Sequence, residues 1–313
     1  MRRQIQLAGT KKFEFVIRFS CKFIRICTYS HLFDILLPPS SSFSGKEEEG
    51  GGKGDERRRM KCRIDRRMRK SNGEYDLLAQ STNAGKRQIE GWIEWNPREY
   101  MALIYHIGDV FNCPIVYFES SPQLPIAHFN SLVDWLVSRQ DRIQTFEIGN
   151  LEMDEDTVKR TLEKITVTRV LGLFVQMCPG FEYNFKSQPT EIQFPCCPWF
   201  TLQSLLSISF CIIIRLWDPM LTNQDMNMFF EKWKRGEFSR LQYLFIQSDI
   251  LDPSVSIAGI QPPIYDPNNT DLSEITIGLS NMGFRNGVEI RSDDGTRAMI
   301  KMESGDLRFI VRN

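Results

Sequence analysis

The sequence predicts an α/β fold. It reads as an irregular, leucine-rich-repeat-like helix–strand solenoid or a small parallel sheet, followed by a C-terminal antiparallel β-meander. Three observations predict it. A helix–turn–strand unit recurs along the middle of the chain. The strands it supplies are short and apolar, with helices between them. The last residues alternate in polarity around two turn signals.

The first stretch to place is "FEFVIRFSCKFIRICTYSHLFDILL" at 13–37. Its apolar residues alternate from Phe13 to Phe23, which is a strand period. Glu14, Arg18, Lys22 and Arg25 interrupt it, so it is neither a membrane span nor the apolar core of a signal peptide. Residues 38–70, "PPSSSFSGKEEEGGGKGDERRRMKCRIDRRMRK", are a low-complexity linker and a basic run. They carry too few apolar groups to offset backbone entropy, so a solvated, disordered tail is expected there, the alternative being that Arg57–Arg59 and the later arginines bind nucleic acid or an importin. Residues 1–70 thus form an atypical N-terminal segment, either genuine or the product of a misassembled gene model.

Residues 71–250 hold the repeated units. In "WNPREYMALIYHIGDVFNCPIVYFE", Asn96 caps a helix, Pro97 takes its first position and Glu99 completes a capping box. Trp95 is placed to staple to Tyr100. A helix is expected over Ser131 to Arg139, leading to the strand "IQTFEI" at 143–148. In "MDEDTVKRTLEKITVTRVLGLFVQ", Asp154 is the cap, Met153 and Val158 the staple, and Leu162 and Ile165 the continuing apolar face. In "FTLQSLLSISFCIIIRLW", Thr201 caps and Phe200 staples to Leu205.

The fullest unit is "LTNQDMNMFFEKWKRGEFSRLQYLFIQ", from Leu221 to Gln247. Thr222 caps, Asp225 reaches back, and Leu221 staples to Met226. Met226, Phe229, Phe230 and Trp233 recur at helical spacing on one face. Lys232, Lys234 and Arg235 suit the negative helix end, and Gly236 supplies a left-handed stop. Leu241 to Ile246 then reads as a strand. Laying Met153 on Leu221 brings Val158 onto Met226, Leu162 onto Phe230 and Ile165 onto Trp233. The expected strands fall near 114–118, 143–148, 171–176, 211–216 and 241–247, too unevenly for a strict leucine-rich consensus.

Residues 251–313 change character. A Pro/Asn-rich connection, "DPSVSIAGIQPPIYDPNNT", precedes "GVEIRSDDGTRAMIKMESGDLRFIVR". Asp294-Gly295 marks one turn and Ser304-Gly305-Asp306 the next.

Composition narrows function. Formal net charge is zero, which argues against a global nucleic-acid-binding surface. The eight cysteines include no C-x-x-C pair, so they read as reduced thiols of a cytoplasmic or nuclear protein. His31, His106 and His128 are scattered, which disfavours a zinc site. No nucleophile elbow, zinc-protease, P-loop or dinucleotide fingerprint is present. The acids at 154–156 serve a helix start, and Asp293-Asp294 a turn. Trp199, Trp217 and Trp233 are expected in the core. No catalytic residue, metal or cofactor is expected.

One further pattern fixes several residues together. Trp199, Thr201, Leu205, Leu221, Thr222, Asp225, Asn227, Phe229, Phe230, Trp233, Gly236, Leu241 and Leu244 stand in an arrangement that resembles the type 2 F-box-associated domain of nematode F-box proteins. The clearest part covers residues 195–250, and flanking pieces extend the resemblance to about 90–313. The resemblance implies a non-enzymatic, substrate-recruiting module of a cullin–RING ubiquitin ligase. Members of that family dock on its Skp adaptor through an F-box. Here Leu37-Pro38 is followed by "PSSSFSGKEEEGGG", which cannot form the leucine-rich F-box helices. The expectation is therefore an unidentified target protein, little or no Skp adaptor binding, and neither nucleic acid nor membrane as partner. The alternatives are a repeat scaffold with no ubiquitin link and, from another class, an enzyme whose site is assembled from distant residues.

Overall fold

The computed structural model describes residues 14–18, 23–27, 32–36, 80–81, 87–88, 97–112, 114–120, 124–149, 153–277 and 280–312. The linker at 38–70, the cap at Asn96 and its staple residue Trp95 lie outside them. The chain divides into two compact units, Met1–Ile115 and Val116–Asn313.

In the first unit, β1 (Glu14–Arg18), β2 (Phe23–Cys27) and β3 (Leu32–Leu36) form an antiparallel meander. Of the alternating stretch from Phe13 to Phe23, residues 14–18 lie in β1 and Phe23 opens β2, while Phe13 and residues 19–22 lie outside the described residues. Two short strands, β4 (Gln80–Ser81) and β5 (Arg87–Gln88), pair antiparallel. Helix α1 (Pro97–Phe111) buries Met101, Leu103 and Ile104. It ends at Asn112, whose N–H bonds the Gly108 carbonyl at positive φ.

The second unit is a mixed α/β structure. Its strands and helices follow in the order β6 (Ile115–Glu119), α2 (Ile126–Arg139), β7 (Arg142–Ile148), α3 (Glu155–Lys164), β8 (Thr166–Leu173) and β9 (Glu191–Phe194). Then come α4 (Leu202–Ser207), β10 (Ile213–Trp217), α5 (Asn223–Lys234) and β11 (Tyr243–Gln247). Strands β6 to β11 pair parallel in chain order. The chain then makes the hairpin β12 (Ser273–Ile277) and β13 (Ser280–Phe284). It ends in β14 (Val288–Arg291), β15 (Arg297–Glu303) and β16 (Asp306–Arg312). These last three form the antiparallel meander. Its strand β16 pairs antiparallel with β11, so the meander extends the large sheet.

Helix ends follow the sequence chemistry. The Thr222 hydroxyl accepts from the Asp225 N–H, and the Asp225 carboxylate accepts from the Thr222 N–H at 2.9 Å. At the other end, Gly236 sits at φ 85. Its N–H bonds the Trp233 carbonyl, and the Glu237 N–H bonds the Lys232 carbonyl, a Schellman stop. Asp154 caps α3 by accepting from the Thr157 N–H at 2.7 Å. That bond holds its carboxyl below the usual range. Thr222→Ala is expected to cost about 1 kcal/mol through loss of the cap, read by chemical denaturation. An unchanged midpoint would show that the cap is redundant.

Four expectations need correction. Helix α2 starts at Ile126 rather than Ser131. Its N-cap is Pro125, which offers no side-chain acceptor, and the Ser131 hydroxyl instead bonds the Ala127 carbonyl inside the helix. Strand β8 covers 166–173 rather than 171–176. The β-branched residues Thr166, Val167, Thr168 and Val170 favour it, and "LFVQ" lies mostly past its end, unlike "LFIQ" in β11. Ile165 is the extended C-cap residue of α3, not part of its helical face. The second meander turn is the pair Ser304 and Gly305, both at positive φ, with Asp306 already in β16. Strand β9 and the β12–β13 hairpin were not foreseen.

Side chains alternate between two faces of the large sheet. On one, Phe118 and Phe146 stack with centroids 5.1 Å apart, and Phe129 of α2 packs on Phe118. Trp199 and Phe200 pack on Phe194, and Phe230 and Trp233 of α5 pack on Phe309. These contacts place α2, the α4 entry and α5 on one face. No helix among the described residues is long and apolar enough to cross a membrane.

Candidate functional site

The signature residues belong to the helix-side core and its edges. Trp199 is buried within the rings of Phe181, Phe194 and Phe200. Thr201 caps α4, and Leu205 is buried beneath it. Leu221, Phe229, Phe230, Trp233, Leu241 and Leu244 are all buried, while Thr222, Asp225 and Gly236 form the two ends of α5. The structure gathers these residues into one packed layer, not onto a surface.

Asn227 has a different task. Its amide group donates to the Ser256 carbonyl at 3.2 Å and accepts from the Ala258 N–H at 2.7 Å. One helical turn earlier, Asn223 donates to the Asp252 carbonyl and accepts from the Asp252 N–H, both at 2.9 Å. Lys234 adds a bond to the Ala258 carbonyl. Three side chains of α5 thus clasp the loop 252–258 and hold Ala258 at φ 58, a conformation that non-glycine residues avoid. Asn227→Ala is expected to cost about 1 kcal/mol, because it removes the partner of two part-buried backbone groups, the Ser256 carbonyl and the Ala258 N–H. Hydrogen exchange at Ala258 should speed up, and unchanged protection there would discard the clasp.

Among the described residues of the second unit, the contacts above put no helix on the opposite face. Its C-terminal part is covered by the β12–β13 hairpin. Met282 and Phe284 pack on Ile213, Tyr243, Met299 and Ile310, with Ile275 and Ile277 beside them. The next row along the strands is polar and aromatic. It runs in register from Glu119 through Glu147, Gly172, Gln193, Arg215, Phe245 and Arg308 to Lys301. A further row adds Trp217 and Gln247.

Local chemistry explains how such groups sit on a sheet. Glu191 accepts from Gln193 at 2.5 Å and pairs with Arg215 at 3.3 Å. The Arg215 guanidinium lies over the Tyr243 ring, and that of Arg308 over Phe245 at 5.6 Å. Trp217 meets Phe245 edge-on at 5.1 Å. Trp217 is therefore half-buried on this face, whereas Trp199 and Trp233 are core as expected. Burial pushes the Tyr243 phenol up from its usual range. Gly172 makes room for the ring of Phe174, since a Cβ there would come within 2.7 Å of that ring and 2.8 Å of the Glu147 side chain. Phe174 stays 39% exposed.

None of these residues except Trp217 was singled out in the sequence. The available signal was alternation. In "IIRLW", Arg215 and Trp217 fall on one parity and the buried Ile214 and Leu216 on the other. Elsewhere, burial drives the thiols of Cys197 and Cys211 above the ordinary thiol range, so neither is poised as a thiolate. The Asp294 carboxyl is held down at about 2, first by the Ser292 hydroxyl and then by the Thr296 N–H. It serves the turn before β15. Among the described residues, no three of His, Cys, Asp and Glu are grouped to share a metal ion.

The central strands of this sheet are the segment that comparison with known families picks out. Residues 183–246 match a family model described as F-box associated. The matched segment comprises β9, α4, β10, α5 and β11 up to Ile246. It therefore supplies both the packed helical layer and the Gln193–Arg215–Phe245 part of the helix-free face. No curated protein and no solved structure matches the chain.

Proposed function

We propose that this chain recruits a protein target through the helix-free face of its large sheet. It would act as the substrate-binding part of an F-box protein of the nematode type 2 group does. The F-box-associated match over residues 183–246 carries the reading. The face supports it: half-buried aromatics interleaved with arginines are the residue types that dominate protein interfaces. Parallel strands in chain order suit a leucine-rich-repeat-like curve, which would present that face to a partner. The module is a binding scaffold and not an enzyme, and it works in the cytoplasm or nucleus.

Attachment to a cullin–RING ligase is a separate matter. Residues 1–70 do not spell the leucine-rich helices that grip the Skp adaptor, so adaptor binding is weak or absent. Two measurements test the reading. Affinity purification of the full chain, beside an Arg308→Gln variant, should capture a defined protein that the variant loses. A capture list identical for both would overturn the assignment of the face. Titration with purified adaptor should give no submicromolar binding, meaning nothing as favourable as about −8 kcal/mol. Tighter binding would place an F-box within residues 1–70.

A further inference from the structure

The half-buried strip of the helix-free face has a chemistry that narrows its partner, provided that this face is the recruiting one. Arg215, Phe245 and Arg308 stand in register on three adjacent strands, β10, β11 and β16. Neighbouring strands lie about 4.8 Å apart, which puts the two guanidinium-bearing positions about 10 Å apart with a ring between them. Lys301 continues the row on β15.

Each arginine is paired, yet each is the more exposed member of its pair. Side-chain exposure is 20% for Arg215 against 13% for Glu191, and 40% for Arg308 against 28% for Asp306. Each guanidinium also lies over a ring, so the face presents cations backed by carboxylates and aromatics. Arg215 also donates to Met282 Sδ of the hairpin at 3.0 Å, so Arg308 is the more open of the two. A guanidinium has five N–H donors, and those left over on each arginine suit a second carboxylate. The strip is narrow, because the β12–β13 hairpin already covers the adjoining row at Ile213, Tyr243 and Ile310. A helix with its side chains is about 10–12 Å across. An extended chain is thinner. In the polyproline II form, residues three apart point the same way and are separated by about 9 Å, close to the spacing of the two arginines.

We infer that the face takes an extended, acidic segment of its target. Two carboxylates spaced three residues apart would meet Arg215 and Arg308, and an aromatic or large aliphatic neighbour would pack against Trp217.

The test is a random-peptide phage library panned against the full chain. Enriched peptides should carry Asp or Glu at positions three apart with a bulky apolar residue close by. A synthetic peptide of the enriched sequence should bind less tightly as salt rises. Arg308→Gln and Trp217→Ala should each weaken it about tenfold with the thermal midpoint unchanged. Both substitutions are at partly exposed positions, and Arg308→Gln alone decides the matter if Trp217→Ala fails to fold. Enrichment of basic or uncharged peptides would overturn the acidic chemistry. If such peptides still lost binding on Trp217→Ala, the recruiting face would stand without it. Equal affinity for wild type and both variants, or no enrichment at all, would overturn the strip as a binding site.

Discussion

Trp233→Ala destabilises the folded chain by about 3–5 kcal/mol, the range for truncating a buried aromatic. Met226, Phe229, Phe230 and Trp233 recur at helical spacing and line one face of α5. Trp233 is the last member of that face, 4% exposed. Its ring meets Phe309 of β16 edge-on at 5.0 Å. Truncation removes the apolar area of the indole and leaves a hole beneath a Schellman turn that has little freedom to collapse. Met228 on the same helix is the control. It is 48% exposed, so Met228→Ala should stay within about 0.5 kcal/mol. Equilibrium unfolding in urea reads both. A Trp233→Ala cost as small as that of Met228→Ala would mean that α5 does not pack by this face.

This face was legible in the sequence because its cause is local. Thr222, Asp225, Met226 and Gly236 each act within one or two turns, so their spacing alone specifies the helix and its ends. The caps at Asp154 and Thr201 are legible for the same reason. Helix α2 shows the limit. Its first residue follows Pro125, which satisfies no orphan N–H with a side chain, so the sequence carries no start signal. Strand β9 is only "EIQF", and its alternation is too short to stand out. The β12–β13 hairpin exists because its apolar side chains cover Ile213, Tyr243 and Ile310, which lie far away in the chain.

The helix-free face was hidden for a related reason. Arg215 and Trp217 sit inside an apolar run, where a sequence reading takes the whole run as core. Alternation separates the two parities within β10, but only the packing of the helices shows which parity faces away from them. Register also brings Arg215, Phe245 and Arg308 into one row, and register between strands so distant in sequence is a tertiary property. The candidate site was thus not legible residue by residue, although the segment that bears most of it was.

Phe309→Ala is expected to cost about 3–5 kcal/mol, and its partner set makes it more informative than its size. Phe309 lies on β16, outside the segment that matches the F-box-associated family model, yet it is fully buried. Its ring meets both Phe230 at 5.4 Å and Trp233 at 5.0 Å. Beneath it, β16 pairs with β11 along five residue pairs from Tyr243–Ile310 to Gln247–Asp306. If the C-terminal meander is built into the same core as α5, removing Phe309 must disturb α5 as well. Trp233 and Phe309 share one contact, so their substitutions should not add. The double variant should be less destabilised than the sum of the singles, by about 0.5–3 kcal/mol. Near-ultraviolet circular dichroism of Phe309→Ala should also lose signal as the packed indole is freed. Strict additivity of the two substitutions would mean that α5 and the meander are stabilised independently. The F-box-associated segment would then have to hold its own helical layer without the last three strands.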